Sequence, residues 1–458
     1  MGFWGIVSRI ILKNRILILL LIAGATAALL TQTKYIQISN TEANMLPSDH
    51  PASLKYDKFL KIFGEEGNLI ILAVKDSSFF TPTKFNNWNT LSKKLDSFKA
   101  VDFTFSLGDI KKLKKDVAHK RFVVEPLYDK DPKTNEDVHK ITDVLFQDLP
   151  FFDNFLYNKK GKTIRTLIYL KKDIVNTSAR KDFVLNQLNP IIASFEKDNN
   201  LKVYVSGMPY IRTMNAKSIV DEIGTFVVLA FGVTALIFFF FFRSFRATFI
   251  AMTVVSIGVM WAFGIIGAFQ YEVTVLTALI PPLIIVIGVP NAIFLINKYQ
   301  QEIKNHGNKA KSLKRVISKI GNATLMTNVT TASGFATFIF TKSQILKEFG
   351  IIASINIMAI FVLSLLLIPI IYSFMPIPKD KHLKHLEKRW IEKIVLALEN
   401  AVRFHRFAVY AATLVIVIVS MIGIYLIQVS GSLIDDMPKG EPFYKDIVFF
   451  EEEFGGIM

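Results

Sequence analysis

The residues of this chain best placed to do chemistry are polar side chains embedded in apolar runs. Asn291, Asn328 and Asn356 stand in three separate apolar segments, and Pro281, Pro282 and Pro290 share a segment with the first of them. Amides are costly inside a bilayer, so they mark either helix packing or a pathway for a polar solute. A segment with three prolines frees backbone carbonyls, which predicts a kinked or broken helix around Gly288-Val289-Pro290-Asn291. The three asparagines, with Pro290, Thr330 and Thr331, are the transport-pathway candidates, and the asparagines are expected to form one buried polar cluster. The bland alternative is a set of interhelical hydrogen bonds that only hold a bundle together. Asp221, Glu222 and Glu272 are the carboxylates bordering the apolar segments, and an edge carboxylate is more often solvated than coupled to a solute.

Other chemistries lack the spacing they need. Residues 159–163 contain Gly-Lys-Thr, but Leu156 occupies the position where a phosphate-cradling loop requires glycine. His50, His119, His139, His306, His382, His385 and His405 show no metal-ligand spacing. The i, i+3 pair His382 and His385 is read as facing headgroups or water. No Ser-His-Asp or Cys-His arrangement stands out, so the expectation is a protein without catalytic residues, cofactor or metal.

The elements that must position these side chains are membrane spans. The chain has 458 residues and is 51% apolar, too much for an ordinary soluble protein. The excess lies in runs at 16–31, 223–242, 247–269, 273–296, 323–340, 351–374 and 407–427. Each is close to the length that crosses a bilayer core at about 1.5 Å per residue. The expected fold class is therefore an α-helical polytopic bundle of about seven spans with an α+β extracytoplasmic porter-like domain. The fifth run is interrupted by Thr324, Thr327, Asn328, Thr330, Thr331 and Ser333, so its polar face is expected to look into the bundle rather than at lipid.

Short loops set orientation. Arg9, Lys13 and Arg15, then Arg243 and Arg246, then the basic stretches 298–319 and 379–406 fall on one side if each run crosses once. The positive-inside rule places them and the N-terminus in the cytoplasm of a bacterial inner membrane protein. The net charge of +16 then reads as topology and contact with anionic lipid headgroups, not as nucleic-acid binding. With no cysteine, the outer segment cannot depend on disulfides.

An internal repeat lays residues 15–64 on 406–455 without a gap, with identities at Arg15, Ile36, Gln37, Ser39, Pro47, Pro51, Phe59, Phe63 and Gly64. Ala23-Gly24-Ala25 resembles a signal-peptide cleavage site, but the twin of that span at 407–427 is internal, so the first span is expected to be retained. The repeat also predicts a C-terminal half or second subunit beyond this sequence.

The resulting organisation is a cytoplasmic N-terminus and first span at 1–32, a porter-like domain at 33–217, and a five-span block at 218–375. A cytoplasmic amphipathic helix at 376–406, a seventh span at 407–428 and the truncated start of a second outer domain at 429–458 complete it. Within the porter-like domain, 68–74, 166–170 and 202–206 read as strands and 82–98 and 173–195 as helices, suggesting a split-βαβ module. Residues 108–160 form an insertion whose lysines at 111–120 present a solvated face or a docking patch for acidic partners. In 376–406, Leu383, Leu386, Trp390, Ile394 and Leu398 repeat every three or four residues among basic side chains. That spacing suits a helix in the headgroup region or a plain linker.

An ordered set of motifs resembles the MMPL branch of the RND superfamily. It comprises Gly207-Met208-Pro209, Phe242-Arg243-Ser244-Phe245-Arg246, Gly288-Val289, Asn297-Lys298-Tyr299, 330–335 (Thr-Thr-Ala-Ser-Gly-Phe), Phe349-Gly350 and Leu367-Ile368-Pro369. The block at 223–374 is similar to the sterol-sensing domain of Patched-type proteins. The resemblance implies export of lipids or other hydrophobic molecules from the inner membrane, driven by an ion gradient. Its implied partners are membrane lipids, a hydrophobic substrate and, as a possibility left open, a second copy. Where such exporters commonly carry Asp-Tyr after Gly-Val, this chain has Pro290-Asn291, and asparagine cannot exchange a proton near neutral pH. Three readings stay open: an exporter half, a non-pumping membrane sensor or accessory subunit, and a protein-export factor of SecDF type.

Overall fold

The computed structural model describes residues 3–38, 49–63, 67–116, 119–160, 162–377, 389–427 and 439–456. In chain order the elements begin with α1 (Phe3–Lys13), α2 (Arg15–Gln32), β1 (Gln37–Ile38), α3 (Pro51–Phe63), β2 (Leu69–Lys75), α4 (Pro82–Asp96) and β3 (Val101–Phe105). There follow β4 (Lys111–Asp116), β5 (Arg121–Pro126), α5 (Asn135–Asp143), β6 (Tyr157–Asn158), β7 (Thr163–Leu170), α6 (Ser178–Asp182), α7 (Asn189–Asn199) and β8 (Tyr204–Ser206). The remainder is α8 (Met208–Phe242), α9 (Phe245–Phe269), β9 (Glu272–Val273), α10 (Val275–Ala278), α11 (Ile280–His306), α12 (Lys309–Ala336), α13 (Gln344–Phe374), α14 (Arg389–Phe404), α15 (Arg406–Tyr425) and α16 (Pro442–Phe454). The chain divides into two compact units, one made of Met1–Ile38 with Val220–Ser432 and the other of Ser39–Ile219 with Leu433–Met458.

In the first unit helices pack on helices. Among the described residues, six helical stretches are long and apolar enough to cross a membrane: Arg15–Tyr35, Met208–Phe242, Phe245–Phe269, Leu276–His306, Gln344–Phe374 and Arg406–Tyr425. The fifth expected span lies in α12, which is long enough but too polar to qualify by composition and is held between α11 and α13. Helix α9 lies against α2, α11 and α13. Glycine makes the closest of these approaches possible: a Cβ at Gly267 would sit 2.1 Å from the Gln32 carbonyl oxygen, and one at Gly264 would sit 2.5 Å from Leu29 Cβ. Small residues that let backbones touch are how membrane helices gain packing without a hydrophobic driving force. The Trp261 indole N–H donates to Thr26 Oγ1 at 2.8 Å, and Ser354 Oγ donates to the Ala332 carbonyl at 2.9 Å, tying α9 to α2 and α13 to α12.

Two expectations for these spans change. Helix α11 runs unbroken through Pro290. Pro281 and Pro282 sit in its first turn, where backbone N–H groups have no intrahelical acceptor, so only one proline removes an interior bond. The polar face of α12 is also divided. Gly321, Thr324, Asn328 and Ala332 are buried, whereas Thr327, Thr330 and Ser333 are exposed. Thr327 and Thr330 donate back to the carbonyls of Ala323 (2.9 Å) and Met326 (2.8 Å), so their hydroxyls are satisfied by their own helix and need no neighbour.

The second unit is an antiparallel sheet in the order β3-β7-β2-β8, with β6 paired on β7. With α4 between β2 and β3 and α6–α7 between β7 and β8, this is the split-βαβ order. β2 and β7 pair over their full length, from Leu69↔Tyr169 to Lys75↔Thr163. Both central strands read as near-continuous buried runs, and Trp88 of α4, Phe183 between α6 and α7, and Phe195 of α7 lie in the same core. Strand β3 was not legible as a strand. Of the lysine-rich stretch, Lys111–Asp116 forms β4, paired antiparallel with β5, and Leu113 and Phe122 are exposed there along with Lys111, Lys114 and Lys115.

Helix α16 folds with this unit. Under the repeat, its residues Pro442–Phe454 fall on Pro51–Phe63 of α3, and both copies are helical over the same positions. Phe443, Asp446, Ile447 and Phe450 of α16 are buried, against β8. Of the amphipathic helix expected at 376–406, the part from Arg389 is helical with Leu398 and Val402 exposed, while Leu383, Leu386, His382 and His385 lie outside the described residues.

Candidate functional site

The interior of the span-bearing unit places Asn291 of α11 and Asn328 of α12 side by side. Each amide donates to the other, Asn291 Nδ2 to Asn328 Oδ1 at 3.1 Å and Asn328 Nδ2 to Asn291 Oδ1 at 2.9 Å. Asn328 Nδ2 also donates to the Thr324 carbonyl at 2.7 Å. The two side chains are 4% and 2% exposed, so the pair is a closed, neutral, hydrogen-bonded clasp within the bundle.

The other predicted residues do not join it. Asn356 of α13 is buried, but its Nδ2 donates to the Ile352 carbonyl at 2.9 Å and its Oδ1 has no partner. Pro290 is exposed, and so is Thr330; Thr331, half-buried, donates to the Thr327 carbonyl at 2.9 Å. The expected cluster of three asparagines is therefore a pair with one separate, half-satisfied amide. Asp221 and Glu222 lie exposed on α8, and Glu272 is exposed in β9, whose residues pair in parallel with β1.

A groove at one end of the same unit is apolar. Ile36, Ile223, Phe263, Ile266, Val273 and Pro281 line it with Thr277 and Ala278, and its volume is about 230 Å³. The parallel pairing of Ile38 with Val273 and the capping box of Thr274 and Thr277 hold the chain segments beside it. Thr277 spends its hydroxyl on Thr274 and the Glu272 carbonyl (3.3 Å), leaving the lining without an unmet polar demand. At less than the roughly 300–1,000 Å³ of pockets for drug-sized ligands, the groove suits a single hydrocarbon branch.

One feature with chemistry escaped the sequence reading. Glu302, near the end of α11, is 2% exposed and gathers four basic groups. Oε1 lies 3.1 Å from Lys319 and 3.8 Å from Lys298, and Oε2 lies 3.3 Å from Arg315 and 3.6 Å from His306. The carboxylate joins α11 to α12. Its signal was present, since Lys298 and His306 flank Glu302 four residues to either side and so share its helix face. Among the described residues no three His, Asp or Glu side chains come together in a way that would hold a metal ion.

Residues 108–397, more than half of the chain, match the MMPL family. A protein of Methanocaldococcus jannaschii, whose name says only that it is a membrane protein, is 22% identical over 212 residues, or 45% of this chain. The match covers 52% of that relative, so the chain spans about half of its length.

Proposed function

This chain belongs to the MMPL family, and from that premise we propose that it is part of an RND-type transporter that exports lipids or other hydrophobic molecules. The observation that carries the reading is the apolar groove among Ile36, Ile223, Phe263 and Ile266, which offers a hydrocarbon branch a place within the span-bearing unit. The reading assigns no catalytic step, cofactor or nucleic-acid partner to the chain. It places the protein in the inner membrane of a bacterial cell with the basic loops and the N-terminus in the cytoplasm, which puts the α+β unit outside. It also requires a second bundle, supplied by a C-terminal half, another subunit or a second copy. The exposed Thr327, Thr330 and Ser333 row on α12 supports this, because its short side chains let a neighbouring helix approach closely.

The test is photolabelling of the full chain, in nanodiscs, with a fatty acid bearing a diazirine near its methyl end. Labelling concentrated on the groove residues, and reduced at least tenfold by Ala278→Trp, is the expected result. Labelling spread evenly over lipid-facing helices and unchanged in that variant sinks the proposal.

A second reading, the non-pumping sensor or accessory subunit, is favoured by the neutral clasp of Asn291 and Asn328. A bundle whose central polar residues hold no exchangeable proton gives an ion gradient nothing to act on there. Proteoliposomes that take up no protons when substrate is supplied would support that reading over export.

A further inference from the structure

Helix α16 closes the free edge of the sheet at β8, and Asp446 sits in the middle of that contact. Asp446 Oδ2 accepts the Val205 backbone N–H at 3.1 Å. This edge-strand donor faces away from β2 and needs a partner outside the sheet. Around the carboxylate the contact is apolar: Phe443, Ile447 and Phe450 are buried, and Phe449 stacks on Tyr204 with ring centroids 3.6 Å apart. Glu453, one end of the helix, accepts from Thr163 at 2.9 Å and pairs with Lys75. Few charges face Asp446. Lys202 reaches to 4.0 Å with a side chain that is itself 60% exposed. Among the described residues, Glu196 of α7, whose Oε1 accepts the Val203 N–H at 2.8 Å, and Tyr210 at the start of α8 complete the titratable surroundings. A carboxylate thus sits inside an apolar contact, with the largely exposed Lys202 at 4.0 Å as its countercharge.

We propose that α16 is a proton-operated latch on the β8 edge, seated while Asp446 is protonated and loosened when Asp446 ionises. Burial pushes the Asp446 carboxyl up from 3.8 to about 6, Glu196 adds to the rise, and the Val205 N–H and Lys202 oppose it. The sign follows from linkage: an acid whose pKa is higher when seated than when released favours the seated form at low pH. The contribution is complete below the ordinary aspartate value and is lost as pH rises through about 6. The difference between the two values bounds the change in the seated-to-released ratio at about a hundredfold. Chain connectivity gives the latch something to act on. Span-forming α15 leads into α16, and β8 leads within two residues into α8. Seating α16 therefore joins the chain that follows one span to the chain that precedes another, and an acidic exterior holds that joint shut.

The chain has no cysteine, so spin labels can be placed one pair at a time. Nitroxides at Glu452→Cys in α16 and Lys197→Cys in α7, both exposed positions, report the seat by double electron–electron resonance on the full chain in nanodiscs. The expected result is one short distance at pH 5, with a longer population that grows at least tenfold relative to it as pH rises to 8. Asp446→Asn keeps the short distance at every pH, and Glu453→Gln retains the pH response. A distribution that ignores pH in the otherwise native chain, or a pH response that persists in Asp446→Asn, overturns the latch. Should Asp446→Asn fail to fold, Lys202→Gln decides: removing the cation that pairs with Asp446 moves the midpoint to higher pH, and an unmoved midpoint overturns the proposal.

Discussion

Apart from Glu302, which meets its basic partners near the end of α11, the span-bearing unit and the α+β unit bury polar side chains of different kinds. In the first, Asn291 and Asn328 satisfy one another as neutral amides. In the second, Arg165, Arg180 and Asp446 are ionisable and almost fully buried. Arg165 donates through Nη2 to the Asn154 carbonyl at 2.5 Å and through Nε to the Phe155 carbonyl, and its guanidinium lies 4.3 Å from the Phe454 ring centre. Burial pulls it from 12.5 to about 10, still charged at neutral pH. Arg180 donates to Thr213 (3.2 Å) and to the Val175 carbonyl (2.6 Å). A protein interior can surround a charge with carbonyl dipoles and rings, whereas a helix in hydrocarbon has spent its carbonyls on its own ladder. The lesson is about where protons can be exchanged near neutral pH. The bundle's central polar pair holds none, and the sheet edge of the other unit does.

The comparison breaks most visibly at Arg165. Arg165→Ala removes the cation, leaves two carbonyls unmet and opens a cavity, a loss of about 4 kcal/mol. Hydrogen exchange along β7 in the full chain should rise accordingly, and unchanged protection would show the guanidinium to be dispensable. Asn291→Asp puts an ionisable group into the neutral clasp, at a cost of about 3 kcal/mol while it is charged. Since the neutral acid is cheaper to bury than the carboxylate, the deficit shrinks toward low pH and is complete once the group is fully ionised. Unfolding temperatures of the bundle measured between pH 5 and 8 should diverge from the native chain only at the upper end. The same substitution tests whether a carboxylate here restores the proton uptake that exporters of this type are expected to show.

Glu302→Gln comes next. Three permanent cations then face a neutral amide, loosening α11 from α12 by about 2 kcal/mol, which heat-induced loss of tertiary signal in detergent would register. Asn291→Leu is milder, about 1 kcal/mol, because membrane hydrogen bonds are individually weak and Asn328 keeps its bond to Thr324. A transport defect much larger than that stability change would make the clasp part of the pathway, and a proportionate one would leave it as packing.

The spans and the split-βαβ order were legible because apolar run length and period-two alternation are local properties. What was missed depends on tertiary partners. Strand β3 reads as Val-Asp-Phe-Thr-Phe and is a strand because β7 lies beside it, with Phe103 stacked on Tyr169 at 4.4 Å. The division of the α12 threonines into buried and exposed rows is set by which neighbours α11 and α13 present. Asn356 was grouped with the other asparagines on depth alone, and depth says nothing of which way a residue turns around its helix. Asp446 was beyond reach, since the strand whose N–H it accepts lies 241 residues earlier.

The repeat shows the same limit from the other side. Copies α3 and α16 share a proline at the first position and the phenylalanines at 59 and 450, so both are helices. Yet Ile447 is 1% exposed where its counterpart Tyr56 is 48% exposed. Shared pattern specifies the helix; the surface it meets specifies whether it is buried.

Helix α1 carries a consequence of another kind. It packs on α12, with the Trp4 ring 2.7 Å from where a Cβ of Gly321 would stand, and Ser8 and Ile11 are buried. Residues 3–13 therefore wait, once synthesised, for a partner made about 300 residues later, a delay on the order of 15–60 s at bacterial-like synthesis speeds of roughly 5–20 residues per second. Throughout that interval an amphipathic segment carrying Trp4, Ile6, Ile10 and Ile11 has no permanent site. An N-terminal fusion that keeps α1 in solution would be felt not at the terminus but in the late closure of the bundle around Gly321.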